Sequence, residues 1–318
     1  MSTSKTTEHF CTLFDYNFLP MGMTLHHSLM MHAQPFHLWI LCMDSSVEKH
    51  LQQLALPHVS LIPLQDVETP ELLAVKAGRS RGEYCWTLTP FSFEAVFKQN
   101  PCVQQVTYLD ADLFFFDDPR ILLQELQLNQ KQVLITDHAY APEYDQSLVS
   151  GRFCVQFITF KRSEAAANLM HQWQAQCLEW CFNRCEDGKF GDQKYLDSWP
   201  THFNNEVHIL QKVEKTLAPW NVNFFTKRQL DKLHPVFYHF HGFRITSPTH
   251  IQLFFGYRIG IRGLGLYEKY IDSLLESITY LHHSGISIPY IAFQKGVYAT
   301  VRRWKYLITG EAQYRRIL

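Results

Sequence analysis

Apolar residues along this chain gather in short runs, separated by segments with helical spacing. The runs at residues 10–14, 36–43, 59–64, 103–109, 132–136, 153–160 and 236–240 have the length of buried strands. Between them, 23–32 and 89–99 read as helices, the second with Phe91, Ala95 and Val96 on a shared side. Ser163 opens a long helical stretch over 163–185, in which Cys177, Cys181 and Cys185, four residues apart, would share one face. Strands alternating with helices predict an α/β fold on a mostly parallel sheet, which binds ligands at the carboxyl ends of its strands. From about residue 247 the texture changes. Tyr267, Ile271, Leu274, Ile278 and Leu281 keep helical spacing, so 247–318 reads as a helical C-terminal appendage to a domain over 1–246.

Composition narrows the partners. The 318 residues hold 29 Lys and Arg against 30 Asp and Glu, a balance that argues against a broad basic face for nucleic acid. Hydrophobic residues make up 46%, enough for a core that needs no disulfide or metal staple. The eight cysteines form no C-x-x-C pair and mostly sit in apolar runs, so they read as reduced, buried thiols of a cytoplasmic protein. Residues 16–43 contain no Asp, Glu, Lys or Arg, yet Pro20, Pro35, Asn17, Gln34 and four histidines make the stretch poor lipid-spanning material. The N-terminus shows no apolar core of a secretory signal. Near the C-terminus, Arg302, Arg303, Lys305, Arg315 and Arg316 mix with Tyr298, Val301, Trp304, Tyr306, Leu307 and Ile308. Such a segment suits either an anionic membrane surface or a solvated helix end packed on the domain, and both readings stay open.

Chemistry enters with Asp110-Ala111-Asp112, which follows the run 103–109 and precedes four apolar residues. Two carboxylates flanking one small residue at a strand end can reach a single hard cation, Mg²⁺ or Mn²⁺. Asp pairs are also common in turns and at helix starts. Here the apolar surroundings make two unpaired charges costly, which favours pairing or a metal. Far downstream, His239 and His241 project to the same side of an extended segment, and His suits Mn²⁺ beside carboxylates. Gly191-Asp192-Gln193 makes a turn that would open a helix with polar groups facing a crevice. Asp137 and His138, at the end of 132–136, are the next polar pair at a strand end, candidates for ligand binding or a plain surface turn.

Taken together, five segments resemble the nucleotide-diphospho-sugar transferases of the GT-A fold, and among them bacterial proteins related to the glycogenin-like family 8 group. The segments are Cys11-Thr12-Leu13-Phe14-Asp15-Tyr16-Asn17-Phe18, Thr107-Tyr108-Leu109-Asp110-Ala111-Asp112, Gly191-Asp192-Gln193-Lys194-Tyr195-Leu196, Leu217-Ala218-Pro219-Trp220-Asn221 and His239-Phe240-His241-Gly242. The resemblance implies a Rossmann-like, mostly parallel sheet flanked by helices. It implies that Asp110, Asp112 and His239 hold Mn²⁺ or Mg²⁺. Asp15 and Phe18 would hold the base of a nucleoside diphosphate sugar, most readily a UDP-sugar. Asp192 and Gln193 match the pair near the anomeric carbon, and Asn221 matches an asparagine near the sugar. Arg81, with Arg79 beside it, falls where relatives place a donor-binding cation. The chain departs from its relatives twice. Cys154-Val155-Gln156 replaces an Asn-Val-Gly-like turn, and Arg244 stands near the place of a Lys-Pro-Trp that binds diphosphate.

The implied reaction moves a sugar to a hydroxyl of a glycan or lipid-linked acceptor, with retention of configuration. Bacterial relatives do this in surface polysaccharide or lipopolysaccharide synthesis, at the cytoplasmic face of the inner membrane. Two rivals remain. A nucleotidyltransferase would carry a Gly-rich basic loop after the first strand, where this chain reads Phe14-Asp15-Tyr16-Asn17-Phe18. A catalytically degenerate transferase fold acting as a membrane-associated interaction module would fit the altered 154–156 segment, but not the intact acidic motifs.

Overall fold

The computed structural model describes residues 6–228, 234–293 and 296–317. The strands, in chain order, are β1 (Glu8–Phe14), β2 (Phe36–Cys42), β3 (Val59–Pro63), β4 (Gln105–Leu109), β5 (Leu113–Phe115), β6 (Val133–Asp137) and β7 (Phe153–Lys161). They continue as β8 (Val207–Ile209), β9 (Thr216–Leu217), β10 (Phe237–His239), β11 (Arg244–Ser247), β12 (His250–Phe255) and β13 (Ala312–Arg316). Each of the seven apolar runs becomes a strand. The main sheet has the order β3-β2-β1-β4-β7-β6-β8, and β7 alone runs against the rest. Both its faces are covered, which is why its strands read as apolar runs without alternation. On one face the helices Arg81–Gln99 and Glu164–Glu179 pack through Phe93, Phe160, Trp173 and Trp199. On the other lie the helices Leu19–His32, Ser45–Leu54 and Arg120–Leu128.

The charge-free stretch 16–43 is core: most of Leu19–His32 and β2 is buried. No described helix is long and apolar enough to cross a membrane. The helix expected over 89–99 begins eight residues earlier, at Arg81. A reciprocal Ser80–Glu83 capping box nucleates it, and Pro90 inside the helix masks the continuity. The helix expected over 163–185 ends at Glu179, where Trp180 takes extended backbone and the Tyr195 hydroxyl donates to its carbonyl at 2.7 Å. Cys181 and Cys185 therefore do not continue the Cys177 helix face. Cys177 and Cys181 are buried, whereas Cys185 and Cys102 are exposed, so the reading as buried thiols does not extend to those two; all eight are free.

Two small sheets build the ground around the carboxyl ends of the main strands. β5, β10 and β9 form one, and β11, β12 and β13 the other. The region from 247 onward contains the helices Ile261–His283 and Val297–Ile308, as the spacing predicts, but it also supplies β12 and β13. β13 escapes the hydrophobic pattern because it is Ala-Gln-Tyr-Arg-Arg, mostly polar and only partly buried, whereas β12, His-Ile-Gln-Leu-Phe-Phe, carries a buried apolar run within the region expected to be helical. Ile261–His283 lies on Leu19–His32, with Thr24 Oγ1 3.2 Å from Ser277 Oγ and His27 Nδ1 2.8 Å from Ser273 Oγ. Its Tyr270 stacks on Phe240 at 3.8 Å between ring centroids, directly beside His239 in sequence. The C-terminal region thus buttresses the strand that carries the histidine.

Candidate active site

Strand pairing brings the acidic motif and the distant histidine together. β4 ends at Leu109, and the Asp110 N–H donates to the Gln156 carbonyl on β7 at 3.1 Å. The chain turns through Asp110-Ala111-Asp112 into β5, which pairs antiparallel with β10 so that Leu113 lies opposite His239. The Phe240 N–H donates to the Asp112 carbonyl at 2.9 Å. This register sets His239 Nε2 3.0 Å from Asp112 Oδ1 and 3.7 Å from Asp110 Oδ2. One ligand atom from each residue lies within 4.8 Å of the other two. The other ring nitrogen, Nδ1, donates to Gln156 Oε1 at 2.7 Å.

The electrostatics are those of a site with surplus negative charge. Burial pushes the Asp110 carboxyl up to about 7, with the Asp112 charge adding to it. Burial opposes ionisation of Asp112 too, but the charge and hydrogen bond of His239 hold it well below the usual carboxylate range. His239 is raised well above the ordinary imidazole value: burial works against its charged form, and Asp112 and Asp110 overcome that. Asp192, 4% exposed, is pushed up to about 8 by burial and the nearby charge of Asp110. Its Oδ2 is buried without a hydrogen-bond partner. The two carboxylates and imidazole of Asp110, Asp112 and His239 are a donor set that fits a hard divalent cation, and the Asp192 carboxyl lies near enough to feel the Asp110 charge.

Asp192 is held from behind: Trp173 Nε1 donates to its carbonyl at 2.8 Å, and the Thr89 hydroxyl bonds its carboxyl. Gly191 before it has φ +52 with the Trp86 ring 3.4 Å from where a Cβ would stand, so glycine suits both the turn and the close approach. Gln193 Nε2 donates to the Ser150 carbonyl at 2.7 Å, tying this turn to the segment before β7.

A second group lies at the end of β1. Asp15 is buried, caps the short turn that follows through the Asn17 N–H at 2.9 Å, and receives Arg81 Nη1 at 2.7 Å. Phe18 lies under the Arg244 guanidinium, 5.0 Å from its ring centroid, and Arg244 Nη1 is 4.0 Å from Asp112 Oδ2. Arg244 therefore links the Asp15–Phe18 group to the carboxylate centre. Arg79 instead donates to the Leu178 carbonyl and to Thr87. Asn221 is brought close but has its amide committed: Oδ1 accepts from the Ala218 N–H, and Nδ2 donates to the His138 and Thr216 carbonyls. Asp137 pairs with Arg152 at 2.6 Å. His138 is buried and stacks on Tyr140. His241 is not part of the three-residue group; its ring stands 5.5 Å from that of His239.

Sequence reasoning noted Gln156 only as a departure, and it passed over an aromatic wall around Trp220. The Trp220 ring meets His239, His241, His138, Tyr140 and Tyr257 within 6.4 Å between centroids. The aromatic richness of the chain was a signal for it, but nothing in the order of residues located it.

No family model matches the chain. It is 32% identical over 267 residues to the uncharacterized protein YfnD of Bacillus subtilis (strain 168), covering 80% of this chain and 84% of YfnD. It is 33% identical over 259 residues to the uncharacterized protein YfnF of the same organism, covering 77% and 85% respectively. Among solved structures, galactosyltransferase LgtC in complex with donor and acceptor sugar analogs superposes with a TM-score of 0.52 at 13% identity, over 84% of this chain and 95% of that one. The apo-form glycosyltransferase GlyE of Streptococcus pneumoniae TIGR4 gives 0.50 at 13% identity, over 90% and 65%. These likenesses establish the GT-A fold.

Proposed function

The chain belongs to the family of the Bacillus subtilis proteins YfnD and YfnF, and on that premise we propose that it is a metal-dependent glycosyltransferase. It moves a sugar from a nucleoside diphosphate sugar, a UDP-sugar first, to an acceptor hydroxyl. The observation that carries this reading is the convergence of Asp110, Asp112 and His239 at the carboxyl end of β4, in a GT-A fold, with an orphaned Asp192 oxygen beside them. Asp15, oriented by Arg81, accepts a hydrogen bond from the base, and Phe18 stacks on it. Arg244 reaches from Phe18 toward Asp112 and donates to the diphosphate. Asp110, Asp112 and His239 would hold Mn²⁺ or Mg²⁺, which would supply positive charge to a departing diphosphate. Asp192 and Gln193 orient the sugar as it gains oxocarbenium character, with Trp173, Thr89 and the Ser150 carbonyl fixing both. Asn221 acts through the loop it ties to His138.

The resemblance of the sequence motifs to the glycogenin-like family 8 group implies retention of configuration and a glycan or lipid-linked acceptor in surface polysaccharide synthesis. The helix Val297–Ile308 presents Tyr298, Val301, Trp304 and Ile308 to solvent among Arg302, Arg303 and Lys305, which supports contact with an anionic membrane surface. Incubation with a panel of nucleotide sugars and Mn²⁺, measuring nucleoside diphosphate release, tests the activity. Release is expected from at least one donor and is lost on chelation; no hydrolysis or transfer across the panel would overturn the reading.

A further inference from the structure

Gln156, inside β7 at the segment where the family resemblance breaks, touches two of the three residues of the proposed metal centre. It lies on β7 and is 1% exposed. Its backbone carbonyl accepts from the Asp110 N–H at 3.1 Å, and its side-chain Oε1 accepts from His239 Nδ1 at 2.7 Å. A glycine could supply the first contact but not the second. An amide oxygen only accepts, so this contact requires the proton on Nδ1 and leaves Nε2 as the nitrogen turned to Asp112 and Asp110. Trp220 meets the same ring edge-on at 5.5 Å, which limits its tilt but offers Nδ1 no acceptor. Cys154 also hydrogen-bonds the His239 ring, so Gln156 shares the imidazole with a second partner on β7.

We propose that Gln156 is a positioning residue: it fixes the tautomer and ring plane of His239, aims Nε2 between Asp110 and Asp112, and thereby sets the affinity for the divalent cation. This rests on the metal-centre reading above. Outer partners of this kind, when removed, typically weaken metal binding by about 10–100-fold. The departure at 154–156 is then not a sign of degeneration. It replaces a turn with a side chain that organises the histidine.

Calorimetric titration of the full chain with Mn²⁺ alone, for wild type, Gln156→Leu and Gln156→Glu, tests the proposal. ¹⁵N spectra of the His239 imidazole in the Mg²⁺-loaded protein complete it. Wild type is expected to bind one Mn²⁺ with the His239 proton on Nδ1. Gln156→Leu should bind about 10–100-fold more weakly, and Gln156→Glu, which keeps an acceptor, should recover most of the loss. Unchanged affinity in Gln156→Leu, equal loss in both variants, or a wild-type spectrum with the proton on Nε2 would each overturn the assignment. If wild type binds no Mn²⁺, the metal-centre reading itself falls; if only the variants fail to differ, that reading survives and the role of Gln156 does not.

Discussion

Replacing Asp112 by Asn removes a negative charge at nearly constant volume, so its effects can be worked out in advance. Asp112 is 7% exposed and loses its ion pair with His239 at 3.0 Å. Breaking a buried pair costs about 3–5 kcal/mol when the remaining charge stays buried and unpaired. Here His239 can release its proton, so the metal-free variant should lose less, about 1–3 kcal/mol, the scale of an unmade buried hydrogen bond. The metal response separates this from function. A cation at one hundred times its dissociation constant stabilises the wild type by about 2.7 kcal/mol. With about 2.1 cal/mol/K of unfolding entropy per residue over 318 residues, that is a rise in Tm of about 4 °C. Melting curves with and without Mn²⁺ should show that rise in wild type and none in the variant at the same concentration. Nucleoside diphosphate release should vanish with it. An equal Mn²⁺-dependent rise in Asp112→Asn, or full turnover of that variant in chelator, would refute the reasoning.

Three further outcomes follow from the geometry. Arg81→Ala should leave Tm nearly unchanged, because its partly exposed pair with Asp15 contributes at most about 1 kcal/mol, while raising the KM for the donor about tenfold; an unchanged KM would remove Arg81 from the donor site. Asp192, raised to about 8, keeps in the native metal-free state a proton that the unfolded chain releases near pH 4. Its contribution is therefore complete below about pH 4 and lost as pH rises through about 8. Asp192→Asn should flatten the fall of Tm between those limits, and identical slopes in both proteins would contradict the assignment. Gly22→Ala would place a Cβ 2.4 Å from Phe14 Cζ, so overpacking of about 1–3 kcal/mol should outweigh the gain in helix propensity and lower Tm; a Tm at or above wild type would show that the Phe14 ring yields freely.

What the chain discloses in one dimension depends on whether a feature is local. The main sheet was legible because strands buried on both faces are mostly apolar, as in the buried run Leu38-Trp39-Ile40-Leu41-Cys42 of β2. Asp110 and Asp112 were legible because they stand directly after such a run. His239 lies far downstream, and only the β5–β10 ladder places it opposite Leu113. Resemblance supplied that link; periodicity could not. The start of Arg81–Gln99 was written in Ser80 and Glu83, but Pro90 argued for a later one. The end of Glu164–Glu179 depends on the Tyr195 hydroxyl, sixteen residues past the helix, which no spacing of cysteines reports. Gln156 was visible as a departure, while its contact with His239 became visible only when the β4–β7 and β5–β10 ladders brought the two together. Asn221 shows the opposite case: a residue expected at the sugar whose amide is taken up by backbone groups of its own surroundings.

The central claim is that a cation held by Asp110, Asp112 and His239 clamps a nucleoside diphosphate. Electron–nuclear resonance of the Mn²⁺ complex with UDP, in protein carrying ¹⁵N histidine, measures both contacts at once. Couplings to phosphorus of the diphosphate and to one histidine nitrogen are expected, the latter lost in His239→Ala. Mn²⁺ bound without a phosphorus coupling, or a nitrogen coupling that survives His239→Ala, would contradict it.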